Sequence, residues 1–553
     1  MSRLALATAV LLLATAPLGA QPGAGAAASY HPGVDVVDYE FSLDLPDIGS
    51  GLEGRAVISL RRVAPTDTLR LDLVALRVDS VLVNGRPVAF ARDSSRLRVP
   101  LPAAGDSLAV TVRYGGSPRD GLIVTLDPQG RWLGFGDNWP NRARHWLPTV
   151  DHPSDKATVT WIVRAPADRR VVANGVLAEE TPITGGSARY AGSGYTLGAA
   201  RTLTRWRMAR PIPSYLMVIA AAPLAYYDLG ATACGAGGST TCVRQMVYAA
   251  PELRDFLPGP FARAGAIVEF IAGKVGPFPY ERLAHLQSST RFGGMENATA
   301  IFYSDKAFRQ RTLGTGLVAH ETAHQWFGDA VTEREWGHLW LSEGFASYFE
   351  QLWVAHSLGE TAFRDGMREL RDEIAASKVT PLRPVIDTAQ RDLMALLNTN
   401  SYQKGAWVLH MLRHQVGDSA FFTGVRSYYA KYRDATATTD DLRREMEGAA
   451  GEPLGWFFDQ WLRRPGMAEV AVKWKHDARG RRTTIEVVQS ARYAPYRFPL
   501  TVAVVVADGS EQRVTVEVPM LRKARIVLPV ELDGPPRRLV FDPDVALLAT
   551  FAP

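Results

Sequence analysis

The chain has 553 residues, and at roughly 150 residues per domain that length implies about three or four domains rather than one core. Hydrophobic residues make up 46%, charged residues 22% and aromatic residues 9%, which excludes collagen-like, coiled-coil and mostly disordered chains. The net charge of +5 is small for this length, and Lys and Arg are interspersed with Asp and Glu, so no nucleic-acid partner is expected.

The N-terminus reads as an export signal, with Arg3 as a positive start and an almost unbroken run of Leu, Ala and Val from Leu4 to Ala16. That run is too short to span a bilayer. Small residues follow it and offer cleavage after Ala20, Ala26 or Ala28, the last preferred. Residues 1–28 are therefore expected to be a signal peptide. No Cys follows to carry a lipid, and no later stretch offers ~18 uninterrupted apolar residues. The mature chain is expected to be soluble, without a transmembrane anchor, and exported, either periplasmic or secreted.

From Val34 to about Tyr227 the chain alternates apolar and polar residues, as in Glu40 to Leu45, Leu69 to Leu73 and Ala157 to Val163, with turn signals such as Asn84-Gly85 between. This predicts an N-terminal β domain over 29–228. The two cysteines, Cys234 and Cys242, flank a Gly-rich loop, and in an exported chain a disulfide is favoured over two free thiols or half of a metal site. From about Pro251 to Arg464 helical periodicity dominates, as in Phe261 to Gly273, Leu313 to Phe327, Ser342 to Val354 and Ala406 to Val416. A central, mostly α domain is predicted over 229–465. Strand patterns return from Met467, with Asp508-Gly509 as a turn, and predict a small C-terminal β-sandwich over 466–553. The expected fold class is multidomain α+β.

The chemistry lies in the central domain. His320-Glu321-Thr322-Ala323-His324 sits inside an apolar helical run. Two His four apart share one helix face, so both imidazoles can reach a single tetrahedral ion. Glu321 then flanks the ion and can take the proton of a water that the metal acidifies, passing it to the leaving amine. Glu343 follows His324 by nineteen residues, enough for a turn and a second helix that brings a carboxylate to the same ion. Three protein ligands and one open position make a catalytic rather than a structural zinc site, holding one Zn²⁺.

With these residues the chain resembles the M1 family of zinc aminopeptidases, and the likeness covers essentially the whole mature sequence. Gly293-Gly294-Met295-Glu296-Asn297 is similar to the family's G-x-M-E-N motif. The resemblance implies that Glu296 binds the free α-ammonium, with Gly293, Gly294, Met295 and Asn297 as its substrate-binding neighbours. Tyr402-Gln403-Lys404-Gly405 is similar to Y-x-K-G, which implies that the Tyr402 hydroxyl stabilises the oxyanion. Ala143 to Ser154 resembles the family's N-terminal-domain stretch A-R-x-x-x-P-C-x-D-x-P, with Thr149 in place of a usual cysteine. The family often carries Gln or Glu shortly before Ala-Arg to help bind the amine. This chain instead reads Phe135-Gly136-Asp137-Asn138-Trp139-Pro140, which leaves Asp137 or Asn138 as the stand-in. Asp329 stands where many relatives have Asn and either hydrogen-bonds a ligand or merely follows the helix end.

The resemblance implies a thermolysin-like catalytic domain and an aminopeptidase acting on peptides with a free N-terminus. Relatives often continue into a long helical C-terminal domain, whereas about 87 residues follow Gly466 here, so a more open cleft is expected unless oligomerisation covers it. The same site could serve a zinc endopeptidase or an epoxide hydrolase. An exported, non-catalytic peptide-binding protein is the reading of another class, opposed by the intact set His320, Glu321, His324, Glu343 and Tyr402.

Overall fold

The computed structural model describes residues 30–31, 33–126, 132–184, 200–238 and 242–552. The expected signal peptide, 1–28, lies outside them. The N-terminal domain is built on an eight-stranded sheet in which Val34–Asp44 runs antiparallel to Leu52–Arg62 and parallel to Lys156–Pro166. Alternation places Tyr39, Phe41 and Leu43 of the first strand and Val159, Trp161 and Val163 of its parallel neighbour on the buried face. Trp161 packs on Phe41 at 5.1 Å and on Trp146 at 5.7 Å. A four-stranded sheet, Arg170–Ala173, Ile219–Ala222, Trp132–Gly136 and Leu122–Leu126, carries the chain toward the central domain.

The strand Ala225–Thr232 crosses the boundary expected at 228 and pairs with Val243–Ala249 in the central domain's five-stranded sheet. The N-terminal domain therefore ends before Ala225. The same sheet contains Arg282–Ser288, Ala300–Ser304 and the two-residue edge strand Gly294–Met295, in a region where the periodicity had suggested mainly helix. Every residue of Arg282–Ser288 is buried. A parallel strand covered on both faces shows no alternation, so its apolar run does not announce a strand. Beyond the sheet the domain is helical: Thr315–His324, Trp340–Leu358, Glu360–Ala376 and Gly405–Val416 bracket the functional residues.

The C-terminal domain consists of a four-stranded and a three-stranded sheet, with Ile485, Val487, Leu500 and Val502 buried between polar outward residues. Phe498–Val505 and Glu511–Val518 form a hairpin that turns at Asp508-Gly509, where Gly509 has φ +87°. His410 donates from Nε2 to the Val545 carbonyl at 2.9 Å and ties this domain to the catalytic helices. Cys234 and Cys242 are joined as a disulfide. Among the described residues no helix is long and apolar enough to cross a membrane.

Candidate metal centre

The helix Thr315–His324 presents His320 and His324 from one face, their Nε2 atoms 3.2 Å apart. Its end is set by Gly328, whose φ of +115° suits glycine, and where a Cβ would lie 2.4 Å from Ser342 Oγ. The turn this permits brings the Phe327 carbonyl to His324 Nδ1 at 3.1 Å. Nδ1–H donates there, which leaves the Nε2 lone pair directed at the site. Glu343, in the first turn of Trp340–Leu358, places Oε2 at 3.4 Å from His320 Nε2 and 3.3 Å from His324 Nε2.

Three donors about 2.0–2.2 Å from a tetrahedral zinc ion are separated from one another by roughly 3.3–3.5 Å. The observed 3.2, 3.3 and 3.4 Å fit that ion. Glu343 Oε2 is buried and has no hydrogen-bond partner, as suits an oxygen reserved for a cation. Burial opposes positive charge on both rings, yet the surrounding carboxylates, Glu343 foremost, raise both imidazoles above their ordinary range. Burial likewise opposes charge on Glu343, and the two imidazoles overcome it and hold the carboxyl low. The pocket thus favours a cation between these three groups. Glu350, two turns beyond Glu343 on the same helix, lies 3.4 Å from His320 Nδ1 and orients that ring. Its i+7 spacing was the signal available in the sequence.

Tyr402 occupies a single π-helical turn, Asn400–Lys404, just before Gly405–Val416. Its hydroxyl donates to Glu343 Oε1 at 2.9 Å. The approach depends on two glycines: a Cβ on Gly344 would meet Gly405 Cα at 2.9 Å, and a Cβ on Gly405 would meet Gly344 Cα at 2.9 Å. The Gly in Y-x-K-G therefore lets the Tyr402 turn lie against the ligand helix. Lys404 is fully buried, donates to the Arg464 carbonyl at 3.4 Å and does not line the cavity.

The edge strand passes directly over the metal helix. A Cβ on Gly294 would lie 2.0 Å from Glu321 Oε1, so only glycine leaves room for the Glu321 carboxylate. Glu296, Glu321 and His324 offer ligand atoms within 4.8 Å of one another. Gly293, Gly294, Met295 and Glu296 line a cavity of about 340 Å³ together with the metal triad, Glu321 and Tyr402. Asn297 is buried and does not line it. Without a cation in the site, burial pushes the Glu321 carboxyl up to about 8.

Gln325, unremarked in the sequence, locks this strand to the helix. Its Nε2 donates to the Glu296 carbonyl at 2.8 Å and to Asp329 Oδ2 at 2.8 Å, and its Oε1 accepts from Thr299 N at 2.9 Å. Asp329 thus braces Gln325, and its own carbonyl accepts from Lys156 of the N-terminal domain at 2.8 Å. The structure does not bring Asp137 to the cavity. That residue is fully buried and pairs with Arg142 at 3.0 Å. Asn138 is buried too, its Oδ1 accepting from Trp146 Nε1 at 2.8 Å. The next residue, Trp139, lines the cavity instead.

Comparison with known proteins agrees with this geometry. Residues 37–192 match the Peptidase M1 N-terminal domain, and residues 266–461 match the Peptidase family M1 domain. The chain is 25% identical over 462 residues to the tricorn protease-interacting factor F2 of Thermoplasma acidophilum, covering 80% of this chain and 54% of that protein. It is 23% identical over 509 residues to a leucyl aminopeptidase of Saccharolobus solfataricus, covering 85% and 59%. The chain therefore spans little more than half the length of these curated relatives. Among solved structures, an M1 zinc metallopeptidase from Deinococcus radiodurans superposes with a TM-score of 0.65 at 27% identity, over 78% of this chain and 93% of that one. With both M1 domains matched and the zinc-ligand geometry in place, this chain belongs to peptidase family M1.

Proposed function

We propose that this chain is a zinc-dependent aminopeptidase that removes single residues from the free N-terminus of peptides, and that it works outside the cytoplasm after loss of residues 1–28. The observation that carries the reading is Glu296, a carboxylate in the same cavity as the metal triad and within 4.8 Å of both Glu321 and His324. A carboxylate at that distance pairs with an α-ammonium and so limits cleavage to the first peptide bond. The neighbour from Deinococcus radiodurans has been solved with a Tyr-Ser-Ala substrate, which agrees with a short-peptide substrate here.

When bound, zinc supplies a Lewis acid that polarises the scissile carbonyl and acidifies a water. Glu321 takes the proton from the attacking water and gives it to the leaving amine. Its carboxyl is buried and lines the cavity beside the metal triad, which places it for both transfers. Burial and the neighbouring carboxylates hold the Tyr402 phenol well above its ordinary value, so it remains a donor. Its hydroxyl leaves Glu343 Oε1 to meet the oxyanion that develops on the substrate carbonyl.

The test is digestion of a mixed peptide set by the zinc-loaded mature protein, each peptide supplied with a free and an acetylated N-terminus and followed by mass spectrometry. Stepwise shortening of free-amine peptides alone is expected. Internal cleavage of acetylated peptides at similar rates would make the protein an endopeptidase and remove the role given to Glu296. The Glu321→Gln protein should retain zinc and lose about 10²–10⁴ in kcat.

A further inference from the structure

Among the described residues lining the cavity, Trp139 is the one supplied by the N-terminal domain. Its indole is only 2% exposed. It stands edge-on to Phe292 with ring centres 6.0 Å apart, and to Trp336 at 5.5 Å, so packing on two sides fixes its orientation. The backbone is fixed as well, because the Trp139 carbonyl accepts from Arg142 Nε at 2.6 Å. Arg142 pairs with Asp137 at 3.0 Å and lies 5.9 Å over the Phe292 ring. The acidic residue once expected at the substrate amine therefore holds the arginine that holds the indole.

Every polar side chain lining the cavity already has a task in the metal triad, the proton transfers, the oxyanion contact or the amine contact, or, for Glu350, in pairing with His320 Nδ1 at 3.4 Å. The remaining side chains of the wall are apolar: Trp139, Phe292, Met295, Leu317 and Leu397. That wall offers neither a free cation for an acidic side chain nor an uncommitted carboxylate for a basic one. At about 340 Å³ the cavity is small, near the lower end of the usual range for ligand sites. It suits one side chain and the reacting peptide bond.

We propose that Trp139, with Phe292 that it packs against and Met295 that precedes Glu296 in the chain, forms an apolar subsite of the cavity, and that this subsite sets the substrate class: peptides beginning with a bulky apolar residue such as leucine or phenylalanine. The proposal rests on the aminopeptidase reading above. Trp139 acts on the substrate directly, as an apolar surface brought by the N-terminal domain, while amine recognition falls to Glu296.

The experiment compares kcat/KM for dipeptides X-Ala, with X as Leu, Phe, Ala, Lys or Glu, in wild-type protein and in Trp139→Ala, Trp139→Phe and Phe292→Ala. Wild-type protein should favour Leu and Phe over Ala by about ten-fold or more, the selectivity an apolar pocket obtains from added methylenes. Trp139→Ala should lower Leu and Phe turnover by about ten-fold while moving Ala by less than about three-fold, and Trp139→Phe should restore most of the loss. Phe292 is part-exposed, so Phe292→Ala probes the same wall if Trp139→Ala does not fold. Calorimetric binding of free leucine and free alanine to zinc-loaded Glu321→Gln protein, with and without Trp139→Ala, gives a readout that needs no turnover. Weaker leucine binding with unchanged alanine binding supports the subsite. Equal losses on all five dipeptides, or an unchanged order of preference in a folded variant, would overturn it. If wild-type protein cleaves no free-amine peptide, the aminopeptidase reading fails by itself. The leucine and alanine binding then decides the subsite, and equal affinities count against it.

Discussion

Replacing Gln325 by Leu tests whether the segment that carries Glu296 owes its position to one amide. The side chain is fully buried and makes three hydrogen bonds, to the Glu296 carbonyl, to Asp329 Oδ2 and from Thr299 N. Leucine is similar in size and can make none of them. Each buried polar group left without a partner costs about 1–3 kcal/mol. Three such groups sum to roughly 3–9 kcal/mol, with the low end expected because the preceding strand, Gly294–Met295, lies at a sheet edge and can shift toward the cavity. Thr299 adds to the strain, since its φ of +64° is unusual for a threonine and is held by the Gln325 bond and by Gly175 N donating to its Oγ1 at 2.7 Å. A loss of about 3 kcal/mol lowers the midpoint of a domain this size by roughly 6–12 °C. Thermal unfolding of the zinc-loaded protein measures that shift, and initial rates on free-amine peptides should show KM raised several-fold. A midpoint within about 2 °C of wild type together with an unchanged KM would refute the reasoning.

Tyr402→Phe keeps the ring beside His320 and removes only the donor, so kcat should fall by about 10²–10³ with little change in KM; a proportional rise in KM would instead indicate a substrate-binding role. Asp155 gives a pH prediction. The residue is part-exposed, but its Oδ2 is buried without a partner, and burial pushes the carboxyl from an ordinary 3.8 up to about 8. Because the folded value lies above the unfolded one, the folded state holds an extra proton between those pH values. Its contribution to stability is complete below the unfolded value and is lost as pH rises through the folded value. Asp155→Asn stays neutral throughout, so its melting temperature relative to wild type should improve more at pH 9 than at pH 5, and equal shifts at the two pH values would contradict the assignment.

Much of the candidate site was legible in the chain because helices impose their own spacing. His320 and His324 share a face whatever surrounds them, and Glu343 follows at a distance that one turn and one helix can close. The strings around Glu296 and Tyr402 were legible by resemblance, and the glycines within them prove to have steric reasons: Gly294 clears Glu321, and Gly405 clears Gly344. The three-domain order was also readable, since alternation is strong in strands such as Val34–Asp44 that have one buried face.

Other features depended on the tertiary structure. Arg282–Ser288 is buried on both faces and carries no periodic signature, and Ala225–Thr232 joins the central domain through pairing with a strand that comes after the cysteine loop. Asp137, Asn138 and Trp139 are consecutive, and the family resemblance pointed to the polar pair for the cavity. Which of the three lines the cavity is decided by distant partners: Arg142 takes Asp137, Trp146 takes Asn138, and Phe292 and Trp336 frame the indole. A helix carries its side-chain directions in its own geometry, whereas a loop takes them from whatever packs against it.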